Sequence, residues 1–323
     1  MRKRDLERLL KELTKLSPNQ LRKVSNAVRH LEGRQEVHRL LEKRIEAVAK
    51  CPWCSGAEFI RFGHSVSGSQ RYQCQRPGCE KTFTSLTGTT LVGARNKPKL
   101  LQNALCMKEG LSVRETAEKL GVNRNTAFRL RHLMMPELEK HQPSDLQGVI
   151  EADEMFFRKS YKGQKKGLPR KAYRRGTRAG KRGISAEQVA VETAVSRGSP
   201  YSFIEVLPST PNAGDITMAL GPKLRTDAVL VTDASQTYLT VGKALGVTVR
   251  QIPRGSHKLG PYHVQNVNAL HSRIRDRLSR FRGVATKHLP SYLAWFRFFD
   301  RKSLNVDPQT LLLDAIGVPL TNT

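Results

Sequence analysis

The sequence has no run of about 18 or more apolar residues, the length that a helix needs to cross a bilayer, so no membrane span is expected. No apolar segment follows the basic first residues, so the pattern of a secretory signal peptide is missing. We therefore expect the chain in the cytoplasm. Disulfide bonds are rare in that reducing compartment, and the five cysteines need another explanation.

Acidic residues are scarce compared with basic ones. The 28 Asp and Glu residues stand against 56 Lys and Arg residues, which gives a net charge of +28 and a pI near 10.4. This excess predicts salt-dependent attraction to a polyanion such as DNA, without indicating any sequence specificity. The 323 residues are enough for two or more domains of roughly 100–150 residues each.

Residues 1–49 are predicted to form a basic helical region. The spacing of apolar residues favours three helices, the first ending near residue 16 and the others spanning about 18–31 and 34–49. Their Lys, Arg and Glu residues fit the solvated face of an amphipathic bundle. DNA contact and self-association are the alternative uses of that face.

Four cysteines between residues 50 and 92 form two pairs, Cys51-Pro-Trp-Cys54 and Cys74-Gln-Arg-Pro-Gly-Cys79. Four thiolates on two such turns suit tetrahedral Zn²⁺. With strand-like segments between the pairs, the pattern is typical of a zinc ribbon. A segment this short buries little core, so a structural Zn²⁺ held by Cys51, Cys54, Cys74 and Cys79 would supply its folding free energy. Unligated thiols are the alternative.

Residues 97–136 have the pattern of a helix-turn-helix. Ser112 and Glu115 form a capping box, Gly121 suits a tight turn, and Asn123 can cap the next helix. The first residues of the second helix of a DNA-binding pair face base edges. The DNA-binding candidates are therefore Arg124, Asn125, Arg129 and Arg131. Helical pairs of this kind also occur in proteins that do not bind DNA.

From residue 148 to 303 the pattern changes to strands alternating with helices. Strands are predicted at 149–156, 188–195, 201–207, 228–232 and 247–252, and helices at 213–220, 235–245 and 265–281. This is the order of a ribonuclease-H-like α/β domain, in which the first and fourth strands are neighbours. With residues 304–323 as a C-terminal tail, the whole chain is expected to be a multidomain α+β protein.

Two aspartates lie where such a fold would bring them together. Asp153 is in the apolar first strand, and Asp233 directly follows the fourth. Buried carboxylates are costly unless something compensates them, and a divalent cation between the two would do so. The alternative is that one aspartate ends a strand and the other caps the following helix.

A basic segment lies between the first and second strands. In Arg158–Arg182, twelve of the 25 residues are Lys or Arg and none is acidic. Such a run is typical of a flexible loop or arm. Because it lies beside Asp153, contact with the DNA backbone is favoured over simple solvation, with Arg174 and Arg175 as candidates.

These pieces together resemble the bacterial insertion-sequence transposases of the ISXO-type group (insertion sequence 1595 group). The matching segments are Cys51-Pro-Trp-Cys54, Arg71-Tyr-Gln-Cys74 with Phe83-Thr-Ser-Leu-Thr-Gly-Thr, Ile150-Glu-Ala-Asp-Glu-Met-Phe, Thr232-Asp-Ala-Ser, Tyr262-His-Val-Gln-Asn-Val-Asn-Ala-Leu-His-Ser and Gly283-Val-Ala-Thr-Lys-His-Leu-Pro-Ser-Tyr-Leu-Ala-Trp. The resemblance runs from about residue 50 to 300. Its late segments are more specific than the ribbon.

The resemblance implies a DDE-class DNA transposase that cuts strands at the element ends and transfers them into target DNA. It makes Asp153 and Asp233 ligands of catalytic divalent ions, Mg²⁺ or Mn²⁺. The third acid of such a site is replaced here by His271, and an imidazole shifts the preference toward Mn²⁺. The alternative is that His271 packs in the core or contacts DNA, while another acid such as Asp276, or no acid at all, completes the site.

The resemblance also implies partners. The ribbon and the helix-turn-helix would recognise terminal inverted repeats on double-stranded DNA, and Arg273 and Arg275 on the last helix would contact phosphates. Joining two ends requires a homodimer or a higher synaptic complex, located in the bacterial nucleoid with no membrane partner. One alternative is a non-enzymatic, sequence-specific DNA-binding protein derived from an inactive transposase. Another is a structure-selective nuclease that never joins strands.

Overall fold

The computed structural model describes residues 2–66, 68–94, 96–140, 142–143, 145–164, 166–168, 185–198, 202–208, 210–300 and 306–318. These residues divide into two compact units. The first unit comprises Met1–Glu109, Val113–Met134 and Asp307–Thr323, and the second comprises Gly110–Ser112 and Met135–Val306. No helix in these ranges is both long and apolar enough to span a membrane.

The first unit begins with two helices, α1 (Lys3–Leu13) and α2 (Pro18–Val48). The side chain of Ser17 accepts the Gln20 N–H at the start of α2 and the Gln20 side chain accepts the Ser17 N–H, so each satisfies an end group of the helix. The predicted break near residue 32 is wrong, since α2 is continuous. A lone Gly33 costs only about 1 kcal/mol, and the burial of Val37, Leu40 and Leu41 holds the later turns in place.

The cysteine-containing segment forms an antiparallel sheet of β1 (Phe59–His64), β2 (Gln70–Cys74) and β3 (Thr82–Thr84), with β2 in the centre. Phe59, Tyr72 and Phe83 form an aromatic cluster with ring centroids 5.3–5.7 Å apart. Ile45 of α2 packs against the same small core. The sheet is therefore anchored on the long helix as well as on its own rings.

Three helices follow: α3 (Leu100–Lys108), α4 (Val113–Leu120) and α5 (Arg124–Met134). Gly121 has a φ of +61° in the turn between α4 and α5, a value that favours glycine. The Asn123 side chain accepts the Asn125 N–H at 2.9 Å and so caps α5 as predicted. Ala117, Leu120, Ala127 and Leu130 are buried.

The second unit contains a five-stranded sheet and its helices. Its elements are α6 (Pro136–Lys140), β4 (Val149–Arg158), β5 (Gln188–Ser196), β6 (Ser202–Leu207), α7 (Ala213–Leu220), β7 (Val229–Thr232), α8 (Gln236–Leu245), β8 (Thr248–Gln251), α9 (Gln265–Ser279) and α10 (Leu289–Asp300). The strand order is β6-β5-β4-β7-β8. The first three strands pair antiparallel, and β4, β7 and β8 pair parallel. This is the ribonuclease-H-like order that the sequence predicted.

The central strand β4 has two different faces because successive side chains alternate. Ile150 and Ala152 belong to the hydrophobic core that includes residues of α7 and α8. Glu151 and Asp153 point to the other face, where they meet α9. The strand therefore presents carboxylates to one helix and apolar groups to the opposite layer.

The end of the described chain forms one more helix, α11 (Pro308–Ala315), which packs against α3 in the first unit. The Asp307 side chain accepts the Gln309 N–H, and Pro308 occupies the first turn. Leu311 and Leu312 are fully buried. Part of the segment left as a tail on sequence grounds therefore has a packed helical structure.

Candidate active site

Asp153 and Asp233 lie on neighbouring parallel strands. In the pairing of β4 with β7, Val149 is opposite Val229 and Glu151 is opposite Val231. Continuing this register by two residues places Asp153 opposite Asp233. Asp233 is exposed, and its Oδ1 accepts the Ser235 N–H at 3.1 Å in the turn before α8. Asp233 thus directly follows β7 and does not cap α8, whose N-cap residue is Ser235.

The carboxyl group of Asp153 has a strongly perturbed environment. Burial raises its pKa to about 7, and the charges of Glu154 and Asp233 act in the same direction. The only donor to its side chain in the described residues is the adjacent Glu154 N–H, at 2.9 Å from Oδ1. Asp153 is thus a half-buried carboxyl group whose charge has little local compensation.

His271 reaches this site from α9. Its Nδ1 lies 3.8 Å from Oδ2 of Asp153, and its side chain is almost fully buried. Burial, together with the charge of Arg275, lowers the pKa of His271 to about 4. The imidazole is therefore neutral at pH 7.

Thr193 fixes which nitrogen of His271 carries the proton. The Thr193 hydroxyl donates to the main-chain oxygen of Asp153 at 2.7 Å, and its oxygen lies 2.7 Å from Nε2 of His271. Because a hydroxyl has one proton to donate, it must accept the proton of Nε2. Nδ1 is then left with a lone pair directed toward the Asp153 carboxylate.

Glu151 joins α9 to β4 two residues before Asp153. Its fully buried carboxylate accepts the backbone N–H groups of Asn266 and Val267, at 2.7 and 3.3 Å, in the first turn of α9. The Asn266 side chain and Arg197 also donate to it, at 2.7 and 2.8 Å. The negative charge therefore lies at the positive end of the helix dipole, in a favourable position. This anchor fixes the helix that carries His271 relative to the strand that carries Asp153.

One further buried carboxyl group near the site, that of Glu192, was not predicted from the sequence. Glu192 of β5 is fully buried and pairs with Glu154 across the strands. The Tyr238 hydroxyl donates to its carboxyl group at 3.0 Å. Burial raises the pKa of Glu192 well above its usual range. A lone acid in the apolar run Gln188–Ser196 is the same signal that identified Asp153, and it could have identified Glu192.

The basic and acidic candidates on α9 separate by their position around the helix. Arg275 is about 40° from His271, whereas Arg273 and Asp276 are about 200° and 140° away. Arg275 is exposed and its charge acts on both Asp153 and His271. Arg273 pairs with Asp300 at 2.8 Å, and its contact with phosphate stays a prediction. Asp276, the alternative third ligand, points away from Asp153.

Comparison with known families decides what kind of domain this is. Residues 145–299 match the profile of the ISXO2-like transposase domain. This segment belongs to the ISXO2-like transposase family. The match covers Asp153, Asp233 and His271 and ends within α10.

One curated relative comes from a transposable element. The chain is 25% identical over 252 residues to an "uncharacterized protein in transposable element ISH50" of Halobacterium salinarum, covering 76% of this chain and 83% of that protein. The Mos1 strand transfer complex aligns at 17% identity with a TM-score of 0.30, covering 66% of this chain and 75% of that one. A simian T-cell lymphotropic virus intasome aligns at 11% identity with a TM-score of 0.27, covering 60% and 67%.

Outside the transposase domain, the four cysteines Cys51, Cys54, Cys74 and Cys79 form one cluster. Their sulfur atoms all lie within 4.8 Å of one another, with Cys51–Cys79 and Cys54–Cys74 separations of 3.9 and 3.6 Å. Tetrahedral ligands at a Zn–S distance of about 2.3 Å would be about 3.8 Å apart. A hydrogen bond from the Gly56 backbone lowers the pKa of Cys54 to about 7, which favours the thiolate. The cluster could hold a metal ion.

The DNA-binding candidates of α5 divide into exposed and buried residues. Arg124, Asn125 and Arg129 are exposed, as predicted for a helix that reads DNA. Arg131 is fully buried, and its guanidinium donates to the Thr116 hydroxyl at 3.0 Å. Its assignment to DNA contact is wrong because the side chain crosses to α4. Arg174 and Arg175 lie outside the described residues.

Proposed function

We propose that the chain is a DNA transposase that uses Asp153, Asp233 and His271 to bind divalent cations. The observation that carries this proposal is the position of His271 Nδ1, whose lone pair faces the Asp153 carboxyl group at 3.8 Å. Two lone-pair atoms this close repel each other unless a cation or a proton lies between them. Membership of residues 145–299 in a transposase family supports the cation.

The donor set fits a catalytic metal. Carboxylate oxygens suit Mg²⁺ and Mn²⁺, and a neutral imidazole moves the preference toward Mn²⁺. The Nε2–H group of His271 donates to the Thr193 hydroxyl. A metal-bound histidine usually makes such a hydrogen bond with its second ring nitrogen. One turn earlier on α9, about 60° around the helix, the exposed Asn268 offers an amide oxygen as the alternative third ligand.

The protein residues would divide the work between them. A divalent cation bound at this site would promote deprotonation of the attacking water or 3′-hydroxyl and offset the charge of the scissile phosphate. Asp153 and Asp233 would hold it from two strands. Arg275 would face the phosphate backbone, and Glu151 would keep α9 in position. Water attacks in the cleavage step and the freed 3′-hydroxyl attacks in the joining step, so no covalent protein–DNA bond forms.

The first unit would recognise DNA. The exposed Arg124, Asn125 and Arg129 at the start of α5 would read base edges in the terminal inverted repeats, as in a helix-turn-helix. The four-cysteine cluster would hold a structural Zn²⁺ in a zinc ribbon. Because two element ends must be joined, a dimer or larger complex would assemble on DNA in the bacterial nucleoid.

The test is cleavage and joining of labelled duplexes that carry the ends of the encoding element, with Mg²⁺ and Mn²⁺ compared. The wild type should give joined products, and Asp153→Asn should lose them by a factor of about 10³ or more, a loss of ~4 kcal/mol in transition-state stabilisation. Both proteins should bind the duplex equally. Cleavage without joining would support a nuclease, and tight binding without cleavage would support an inactive DNA-binding protein.

The third ligand can be tested separately. Replacing His271 with Ala should lower the affinity for Mn²⁺, measured from the metal dependence of cleavage, by about 10- to 100-fold. Replacing Asn268 with Ala is the matched change one turn away. If Asn268→Ala weakens Mn²⁺ dependence and His271→Ala does not, the assignment moves to Asn268.

A further inference from the structure

A cavity of about 600 Å³ lies on the α9 side of the sheet, where β4 ends. Phe157 and Tyr161 line it from the end of β4, and Leu278 and Val284 line it from the end of α9 and the turn that follows. Its cationic lining residues are Arg158, Lys159, Lys162 and Arg275. No acidic side chain lines it within the described part of the chain. The cavity therefore suits an anion with a flat apolar portion.

The walls of the cavity are held together independently of any ligand. The Ser160 N–H donates to the Thr286 hydroxyl, and the Thr286 N–H donates back to the Ser160 carbonyl, both at 2.8 Å. The Lys162 ammonium donates to the Gly283 carbonyl at 2.8 Å and lies 3.3 Å from two neighbouring carbonyls. These hydrogen bonds thus connect the segment that follows β4 to the segment that follows α9. Binding sites of this volume are usually preformed in this way.

The cavity adjoins the candidate active site along both elements that form it. Phe157 is on the same face of β4 as Asp153, four residues further on, a distance of about 13 Å along a strand. Arg275 lines the cavity and is one turn of α9 beyond His271, on the same face. A DNA strand whose phosphate lies at Asp153 would therefore pass the mouth of the cavity.

We propose that this cavity holds one unstacked nucleotide of the DNA strand, next to the bond that is cut. The base would lie between Phe157 and the Leu278–Val284 wall, since an aromatic ring stacks on any base without reading its sequence. Arg275 would bind the phosphate that links this nucleotide to the scissile one. The proposal rests on the proposed function, because it assumes that the site acts on DNA.

The first test fills the cavity. Val284→Phe places a ring in it, and Leu239→Phe on α8, on the opposite face of the sheet, is the matched control. Val284→Phe should slow cleavage of an intact end by about tenfold or more, since the ring occupies the space that the unstacked base would enter. Removing one base beside the cleavage point should restore the rate of Val284→Phe, and should do so at one position only. If no abasic position restores it, or if the intact end is cut at the wild-type rate, the cavity does not hold a nucleotide.

The second test does not depend on cleavage. In the Asp153→Asn background, 2-aminopurine is placed in turn at each position beside the cleavage point, and its fluorescence is followed as the duplex binds. One position should change when the cavity is intact and stay unchanged with Val284→Phe. If the protein with Asp153 intact shows this signal but cleaves DNA with neither Mg²⁺ nor Mn²⁺, the proposed function is contradicted and the cavity proposal is supported. No change at any position would overturn the cavity proposal alone.

Discussion

The four-cysteine cluster and the site around Asp153 both collect side chains of types that can bind metal ions, but the two sites differ in the number and burial of the ligands they offer. The cysteines supply four sulfur atoms to one point, and Cys51 and Cys74 are buried. Asp153, Asp233 and His271 come from three elements, and Asp233 is exposed. Structural sites fill the coordination of the ion, whereas catalytic sites leave positions for water and substrate.

This difference predicts opposite effects of ligand loss on stability. A structural metal site, whose coordination positions are all filled by protein ligands, supplies folding free energy. Losing one of these ligands should therefore unfold the residues around it. An open site keeps carboxylates poorly compensated when no cation is bound, so losing one should stabilise the metal-free protein. In the second unit, a substitution that removes a metal ligand should therefore impair function but raise stability, whereas in the first unit it should lower both.

The largest expected effect follows loss of a cysteine from the cluster. Cys51→Ser should release the metal and unfold residues 51–90, because structural zinc contributes about 10–16 kcal/mol of apparent binding free energy in small domains. Metal content per chain and hydrogen exchange of β1–β3 measure this. Cys106→Ala is the control, since Cys106 is a buried cysteine of α3 outside the cluster. Absence of bound metal from the wild type would contradict the assignment of the four cysteines to a structural metal site.

The second-largest effect on stability is expected at Glu151, whose carboxylate accepts hydrogen bonds from Arg197 and the first turn of α9. Glu151→Ala should destabilise the second unit by about 3 kcal/mol, because it leaves Arg197 and the first turn of α9 without their acceptor. Glu151→Gln keeps one acceptor oxygen and should cost less. Chemical denaturation of the two variants measures the difference. Equal stability of Glu151→Ala and the wild type would show that the anchor is not energetically significant.

A smaller effect of opposite sign is expected at Asp153. The folded pKa is raised to about 7 from 3.8, so the unfolded chain loses this proton first and stability falls as pH rises from about 4 to about 7. Asp153→Asn removes that loss and should stabilise the metal-free protein at pH 8 by ~2 kcal/mol, with no gain near pH 4. Thermal melts in chelator measure it. In Mn²⁺ the order should reverse, and a variant that melts below the wild type in chelator would contradict the open-site interpretation.

The smallest effect is expected at Glu192. Burial raises the pKa of its carboxyl group well above the usual range, which favours the neutral form, so Glu192→Gln should change stability at pH 7 by about 0.5 kcal/mol or less. Mn²⁺ should shift the melting temperature of this variant as it shifts that of the wild type. Loss of the Mn²⁺ shift would place Glu192 among the residues that bind the cation.

The order of strands and helices in the second unit was predictable because each element has a clear period and clear end signals. The strand at Val149–Arg158 and the helix at Gln265–Ser279 lie within a few residues of their predicted bounds. Asp153 could be identified because an acid in an apolar strand is unusual. The approach of His271 to it came from family resemblance and not from spacing.

The errors share a physical cause, which is that burial of a polar side chain depends on a partner far away in sequence. Arg131 fits the exposed face of a recognition helix by spacing, but Thr116 on α4 receives it. Glu192 is stabilised by Tyr238, whose position depends on how α8 packs on the sheet. The pattern of neighbouring residues in the sequence does not reveal such long-range contacts.

The position of β4 in the middle of the sheet has a consequence for motion. Its first residues, Val149–Glu151, are paired with β7 along one edge, and Ile150–Arg158 are paired with β5 along the other, so the amide protons at the doubly paired start of the strand should exchange only when the whole unit opens. Asp233 and His271 belong to a strand end and a helix, which can shift without breaking that pairing. Any adjustment of the site to its cation and substrate should therefore occur around Asp153, which serves as the fixed point.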